Sequence, residues 1–207
     1  MCLYARRLIM SDTYLTLSQL NTLIWETTMT ALGYDYTEYN SSTSPPTSMP
    51  VRKSWQAEGA PATKRTDDVC YIRVYPENND YNKLRELKYS AINDASVNQA
   101  TSYTRVLQVT WIFYGPNSYD NAQTVRDSLF SDNIADELEA KNVYFMPDID
   151  DCTRAPELFD GQWWERTDLK AYFYELVTKN ITVATVGKVT VDISNGSRET
   201  SAVSEET

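Results

Sequence analysis

Acidic residues are the first candidates for chemistry in this chain. Asp148, Asp150 and Asp151 lie almost side by side, and Glu157 and Asp160 follow closely. Carboxylates this dense can coordinate Mg²⁺ or Ca²⁺ through their oxygens. An EF-hand loop counted from Asp148 would need glycine at its sixth position and glutamate at its twelfth. The chain has Thr153 and Phe159 there, so the pattern fails and a solvated acidic loop is the simpler reading. Glu165, Asp168 and Lys170 suggest the acid-plus-lysine site of a metal-dependent nuclease. Strand alternation would put Asp168 and Lys170 on one face and Glu165 on the other, which splits the group. Histidine is absent, which removes Ser–His–Asp and Cys–His catalysis and histidine-based zinc sites. Gly59 and Gly115 stand in neither a Walker A nor a GxGxxG pattern, so nucleotide binding has no support. No catalytic residue, cofactor or metal ligand is expected.

Aromatic residues point elsewhere. Trp163 and Trp164 are adjacent, so in a strand one ring enters the core while the other faces solvent or a partner. A covered exposed tryptophan is a frequent anchor of assemblies. The chain also has 15 tyrosines, which suit either strands or surfaces that become interfaces. The net charge of −10 disfavours gripping a phosphate backbone, though DNA could pass nearby without being held. Cys2, Cys70 and Cys152 are odd in number and far apart, which reads as ordinary thiols in a reducing compartment. Leu8 to Met10 is too short for the apolar core of a signal peptide. No run of about 18 apolar residues could span a membrane.

The 207 residues are enough for one domain with a real core. Residues 1–12 read as a loose arm. Leu17, Leu20, Leu23, Ile24, Met29 and Leu32 recur at three- and four-residue spacing, which predicts a helix over Thr16–Ala31 that stops at Gly33. Residues 34–68 read as a long loop with a short strand at Val51–Gln56. Val69–Tyr75 reads as a strand closed by Pro76. Leu84–Ile92 and Tyr103–Tyr114 suggest paired strands, with 77–102 as a projecting hairpin. Gly115-Pro116-Asn117 is a turn, and Asn117 or Ser118 should cap a helix running to about Phe130. Ile134–Ala140 should be a second short helix and Val143–Met146 a short strand. Asp148–Asp160 reads as an acidic loop. Arg166–Thr178 alternates as a strand, with Leu169, Ala171, Phe173 and Glu175 on one face, and Thr182–Ile193 reads as another. The expected fold is α+β, a mostly antiparallel sheet with helices on one face. It would occupy 1–195 as a single domain, with residues 196–207 as a disordered tail rich in Ser, Thr and Glu.

Several blocks then occur in a telling order. They are VRKSWQAEGAPATKRTDDVCYIRVYP (51–76), VTWIFYGPNSYDNAQTVRDSL (109–129, with Tyr114, Gly115, Pro116, Asp120 and Arg126), PELFDGQWWERTDLKAYFYE (156–175) and VGKVTVDI (186–193). Together they resemble the neck terminator, or tail-completion, proteins of tailed bacteriophages, over roughly residues 15–193. The resemblance implies a tail-terminator-like sheet flanked by helices and a structural role without catalytic residues. It also implies a homo-oligomeric ring, commonly a hexamer, in the virion neck, assembled in the host cytoplasm. Such a ring ends the tail tube, contacts the tail-tube protein and a head-side connector, and lets the genome pass without specific binding. Tyr114, Pro116, Tyr119, Trp163 and Trp164 are then the candidate interface residues. Asp148, Asp150 and Asp151 are the candidate acidic lumen, where charge repulsion would help DNA slide and neutralisation should slow its ejection. A head-completion or connector protein, or a tail-tube subunit, remains an alternative within the structural class. Outside it stand a nuclease whose Mg²⁺-dependent cleavage is lost on Asp168→Ala, and an acidic protein acting on a host factor and absent from particles.

Overall fold

Thr16 starts the first helix, α1 (Leu17–Ala31), through a capping box. The Gln19 backbone N–H donates to the Thr16 hydroxyl at 3.3 Å, and the Thr16 backbone N–H donates to the Gln19 side chain at 2.9 Å. Gly33, at φ +80°, follows its end, as the spacing predicts. The structure is a computed structural model that describes residues 12–40, 49–54, 63–93, 95–184, 189–194 and 199–204. After α1 come α2 (Tyr36–Asn40), β1 (Val51–Lys53) and β2 (Val69–Pro76). A 3₁₀ turn at Asp80–Asn82 leads to β3 (Glu86–Asn93) and β4 (Ser96–Tyr114). Then follow α3 (Ser118–Ser128), α4 (Asp132–Glu139) and β5 (Val143–Phe145). Three short strands, β6 (Thr153–Arg154), β7 (Glu157–Phe159) and β8 (Gln162–Trp164), precede the long β9 (Arg166–Ala184). The last two are β10 (Val189–Ser194) and β11 (Glu199–Ser204). Helices and mainly antiparallel strands make this an α+β fold, as the sequence predicts; among the described residues only β1 pairs in parallel, with β2.

The chain forms two units interleaved in sequence. One comprises Tyr14–Leu84 and Thr104–Val177; the other comprises Met1–Thr13, Arg85–Tyr103 and Thr178–Thr207. In the first, the sheet order is β1-β2-β4-β9-β5, with β6 also on β9. Alternation sends Cys70, Ile72, Val109, Trp111, Phe113, Leu169, Ala171 and Phe173 to one face. There they join Leu20, Ile24 and Met29 of α1, Ala122 and Val125 of α3, and Ile134 and Leu138 of α4. Each large apolar side chain buried in this core stabilises the fold by about 1.5–3 kcal/mol. Trp111 and Trp25, both in this core, also satisfy their N–H groups: Trp111 donates to the Thr28 hydroxyl at 2.8 Å, and Trp25 to the Val51 carbonyl at 2.9 Å. That requirement keeps the indoles in fixed orientations.

The opposite face of the same sheet carries Tyr71, Arg73 and Tyr75 of β2, paired with Ile112, Thr110 and Gln108 of β4. Lys170, Tyr172 and Tyr174 of β9 belong to it by alternation, and Tyr144 of β5 lies opposite Tyr174. Among the described residues no tyrosine is fully buried. The strand tyrosines of this unit therefore stay off the core face, whereas Tyr36 and Tyr39 of α2 pack, partly buried, against the core.

In the second unit, β3 pairs with the first half of β4 from Glu86↔Ser102 to Asn93↔Ser96. Every residue of β3 is exposed, Leu87, Tyr89 and Ile92 included. Asn98 donates to Asn180 at 3.1 Å, and Ser102 shares a hydrogen bond of 3.0 Å with Thr178. Thr13 and Thr178 exchange backbone bonds of 2.9 Å in both directions.

Several boundaries differ from the sequence reading. β4 begins at Ser96, not Tyr103, because the polar residues before Tyr103 pair with β3. Of the strand expected at Thr182–Ile193, Thr182–Ala184 complete β9 and Val189–Ile193 belong to β10, which pairs with β11, while 185–188 lie outside the described residues. The tail expected to be disordered from 196 contains β11, whose six residues pair with β10; cross-strand hydrogen bonds there outweigh a polar composition. The acidic stretch Asp148–Asp160 is not all loop, since Thr153 and Arg154 pair with Thr167 and Asp168, and Glu157–Phe159 pairs with β8. The strand expected at Val51–Gln56 is limited to Val51–Lys53. Most of the arm at 1–12 and part of the 34–68 segment lie outside the described residues.

Candidate interface around the Tyr114 turn

The turn after β4 is held by a residue far away in sequence. Gly115 has φ +108°, and a Cβ added there would lie 2.4 Å from Asp68 Oδ1 and 2.6 Å from the Asp67 carbonyl oxygen. Glycine is required at this position because the 67–68 backbone passes against it. Asn117 occupies the N-cap position of α3, but its side chain makes no capping bond. Its backbone N–H donates to Asp68 Oδ1 at 2.9 Å, and its side-chain Nδ2 donates to Asp68 Oδ2 at 2.8 Å. The expected local cap is thus replaced by a long-range one. An aspartate near the exposed N–H groups of a helix start also favours the helix dipole.

Tyr114, just before the glycine, opens a second network. Its hydroxyl donates to Glu157 Oε2 at 2.9 Å. Glu157 also accepts from Arg166 Nη1. Arg166 in turn makes a bidentate pair with Asp168, through Nε to Oδ1 at 2.7 Å and Nη2 to Oδ2 at 2.8 Å. Charge-assisted, forked pairs of this kind are geometrically specific. The hydrogen bonds that Arg166 donates to Asp168 hold its pKa above the ordinary value. The network fixes the antiparallel β7–β8 hairpin, in which Leu158 lies opposite Trp163 and Phe159 opposite Gln162. Trp164 stacks edge-on against Tyr114 at 6.4 Å and against Phe159 at 6.4 Å.

The hairpin presents an apolar surface. Leu158, Phe159 and Trp163 are 62%, 67% and 63% exposed. The adjacent tryptophans separate as strand alternation requires, with Trp164 half-buried on Tyr114 and Trp163 in solvent. Pro116 is exposed in the turn. Tyr119 is exposed on α3, whose buried residues are Ser118, Ala122 and Val125. Tyr114 and Trp164 are therefore brought into contact, whereas Tyr119 belongs to the helix layer.

Among the described residues, no group of three His, Cys, Asp or Glu could hold a metal ion. Asp168 is held by Arg166, and the Lys170 ammonium lies 4.0 Å from Asp150, so the acid-plus-lysine constellation does not assemble. Asp148, Asp150 and Asp151 are exposed. Asp151 pairs with Arg126 at 3.2 Å, and the Asp150 carbonyl accepts from Arg126 Nε at 3.3 Å. Burial pushes the thiols of Cys70 and Cys152 up, so neither is poised as a nucleophile.

Sequence reading missed Asp68, Arg166, Leu158 and Phe159, and took Glu157 only as part of an acidic loop. The hairpin was legible only as the turn residues Asp160-Gly161 between two short apolar pairs. The Asp68 and Glu157 contacts span 49 and 43 positions, and no local pattern announces them.

Burial and the bond to Glu157 raise the Tyr114 phenol to about 12. The folded state thus keeps a proton that an unfolded tyrosine releases near pH 10. This contribution to stability is complete below about pH 10 and is lost as the pH rises through about 12. In a tyrosinate absorbance titration of the folded protein, Tyr114→Phe should remove a late-titrating component. An unchanged high-pH limb would contradict the burial of this hydroxyl.

A family model described as phage neck terminator protein matches residues 18–197. No curated protein matches the chain.

Proposed function

The chain belongs to the phage neck terminator family, a family of structural neck proteins, and from that premise we propose that it forms a homo-oligomeric ring, a hexamer, in the virion neck. The ring closes the tail tube, joins it to the head-side connector and leaves a channel through which the genome passes without being gripped. The observation that carries this reading, beside family membership, is the exposed apolar hairpin. Leu158 and Trp163, opposite each other across the hairpin, expose an apolar pair on one face, Phe159 adds apolar surface on the other beside Trp164, and the Tyr114–Glu157–Arg166 network pins the hairpin in place. Contiguous exposed apolar surface on a rigid support is the usual mark of an interaction site. Tyr114, Pro116, Tyr119, Trp163 and Trp164 are proposed to be covered in the assembled neck. The acidic segment with Asp148, Asp150 and Asp151 is proposed as the lumen wall, with Arg126 and Lys170 offsetting part of its charge.

Electron microscopy of particles made by a phage lacking this gene tests the role. Filled heads beside unjoined tails, or tails of uncontrolled length, are expected. Complete, normally joined particles would remove the proposal.

A further inference from the structure

In the smaller unit, β3 and β9 flank β4, and the two faces of this sheet differ in chemistry. Hydrogen bonds from Asn98 to Asn180 and between Ser102 and Thr178 put these four polar residues on one face. Alternation sends their neighbours to the other. There Leu87, Tyr89 and Ala91 lie opposite Thr101, Gln99 and Val97, and β9 contributes Lys179, Ile181 and Val183. Leu87, Tyr89 and Ile181 are 51%, 61% and 56% exposed. Two bases, Lys179 and Arg85, the latter 3.8 Å from the Tyr103 ring centroid, hold the end of this face near Thr178. The apolar side chains extend away from them, toward Ala91 and Val183.

The chain that precedes Asp12 enters at the edge of this sheet. Thr13 bridges Thr178 in antiparallel fashion, with backbone bonds of 2.9 Å in both directions. A continuing ladder would next set the Ser11 carbonyl against the Asn180 N–H. That N–H instead donates to Asp12 Oδ1 at 2.9 Å, so the ladder stops at Asp12. Antiparallel entry also fixes a direction. Traced from Thr13 toward Met1, the chain heads the way β9 runs, toward Ile181 and Val183 and away from Arg85 and Lys179.

We propose that residues 3–10 of the same chain cover this face, with Leu3, Tyr4, Leu8, Ile9 and Met10 supplying the apolar contacts. The distance from β9 across β4 to β3 is about 10 Å, two strand spacings. The eleven residues before Asp12 reach at most roughly 36–40 Å, enough to cross all three strands. Arg6 and Arg7 interrupt the apolar residues, and their long stems can lie on apolar surface while the guanidinium groups reach water. A cover of this kind removes an exposed apolar surface that would otherwise invite association. The inference is independent of the ring reading, since it concerns one subunit alone.

Photo-cross-linking of the full-length chain tests this. A benzophenone amino acid in place of the exposed Tyr89 is irradiated, and peptide mass spectrometry locates the adduct. Adducts on residues 3–10 are expected, in a product that runs as a single chain on a denaturing gel. Leu8→Asp with Ile9→Asp should lower their yield by about tenfold or more, since two apolar contacts are lost. The same probe in place of Ile181 gives a second reading from another strand, should the first variant fail to fold. Adducts that join two chains would overturn the proposal and make a second copy the occupant. Absence of any adduct on residues 1–11 from both positions would overturn it as well, as would a yield unchanged by the two aspartates.

Discussion

Arg105→Ala is expected to lower the unfolding free energy by roughly 3–5 kcal/mol, the usual cost of leaving one member of a buried ion pair behind. Glu175 is 1% exposed, next along its strand face to the apolar Leu169, Ala171 and Phe173. Arg105 Nε donates to its Oε2 at 2.6 Å, and the Leu15 backbone N–H donates to Oε1 at 2.7 Å. Arg105 Nη2 also donates to the Leu15 carbonyl at 2.7 Å. The pair therefore grips both polar groups of the residue just before the α1 N-cap. Without the guanidinium, a desolvated carboxylate keeps one partner and the start of α1 is released. Denaturant unfolding should show a lower midpoint, and hydrogen exchange should show faster loss of the Leu15 amide. Replacing both partners, Arg105→Met with Glu175→Leu, should recover part of the loss, because an apolar pair avoids desolvating charge but leaves the Leu15 N–H and carbonyl without these partners. A loss below about 1 kcal/mol in the single variant would mean that the pair is solvated, in the manner of a surface bridge.

Gly115→Ala is expected to be almost as damaging. A positive φ costs a side-chain-bearing residue about 1–3 kcal/mol, and overpacking costs about 1–3 kcal/mol more. The added methyl would meet the Asp67 carbonyl and the Asp68 Cα at 2.6 and 2.8 Å, both backbone atoms that cannot rotate away. Trimming Asp68 would therefore not relieve the clash. Gly161 provides the comparison. It also has positive φ, +70°, but a Cβ there meets nothing within 4 Å. Gly161→Ala should cost only the conformational part, about 1–2 kcal/mol. Thermal melts of the two variants should separate clearly; equal losses would mean that the approach of Asp67 and Asp68 is loose. Because the turn carries both Asn117 and Tyr114, Gly115→Ala should also disturb the β7–β8 hairpin and with it the apolar surface of Leu158, Phe159 and Trp163.

Much of the architecture was legible along the chain because local rules govern it. The three- and four-residue spacing and the Thr16–Gln19 pair place α1. Alternation of Val109, Trp111 and Phe113 places β4's buried face, and alternation from Leu169 to Phe173 places that of β9. The same rule separates Trp163 from Trp164. It also puts Glu175 on the core face, but alternation alone does not say how a carboxylate survives there. The ordered blocks, with Tyr114-Gly115-Pro116 among them, gave the family directly, and the match over residues 18–197 agrees with it.

Tertiary structure decided everything that depends on distant partners. The carboxylate of Glu175 is tolerable only because Arg105 and Leu15 arrive from elsewhere in the chain. Gly115 is needed because the 67–68 backbone crosses it, which no spacing reveals. The acid-plus-lysine reading dissolved because Arg166 takes Asp168. β11 formed despite its polar composition because β10 offered a full ladder of pairing groups. The sequence by itself determined the types and buried faces of the longer elements and the family, since these follow from periodicity and short motifs within a turn or a strand. Only the folded chain decided which charges are neutralised, which glycine is indispensable and which aromatics remain uncovered, since each depends on atoms dozens of residues apart meeting within a few ångströms.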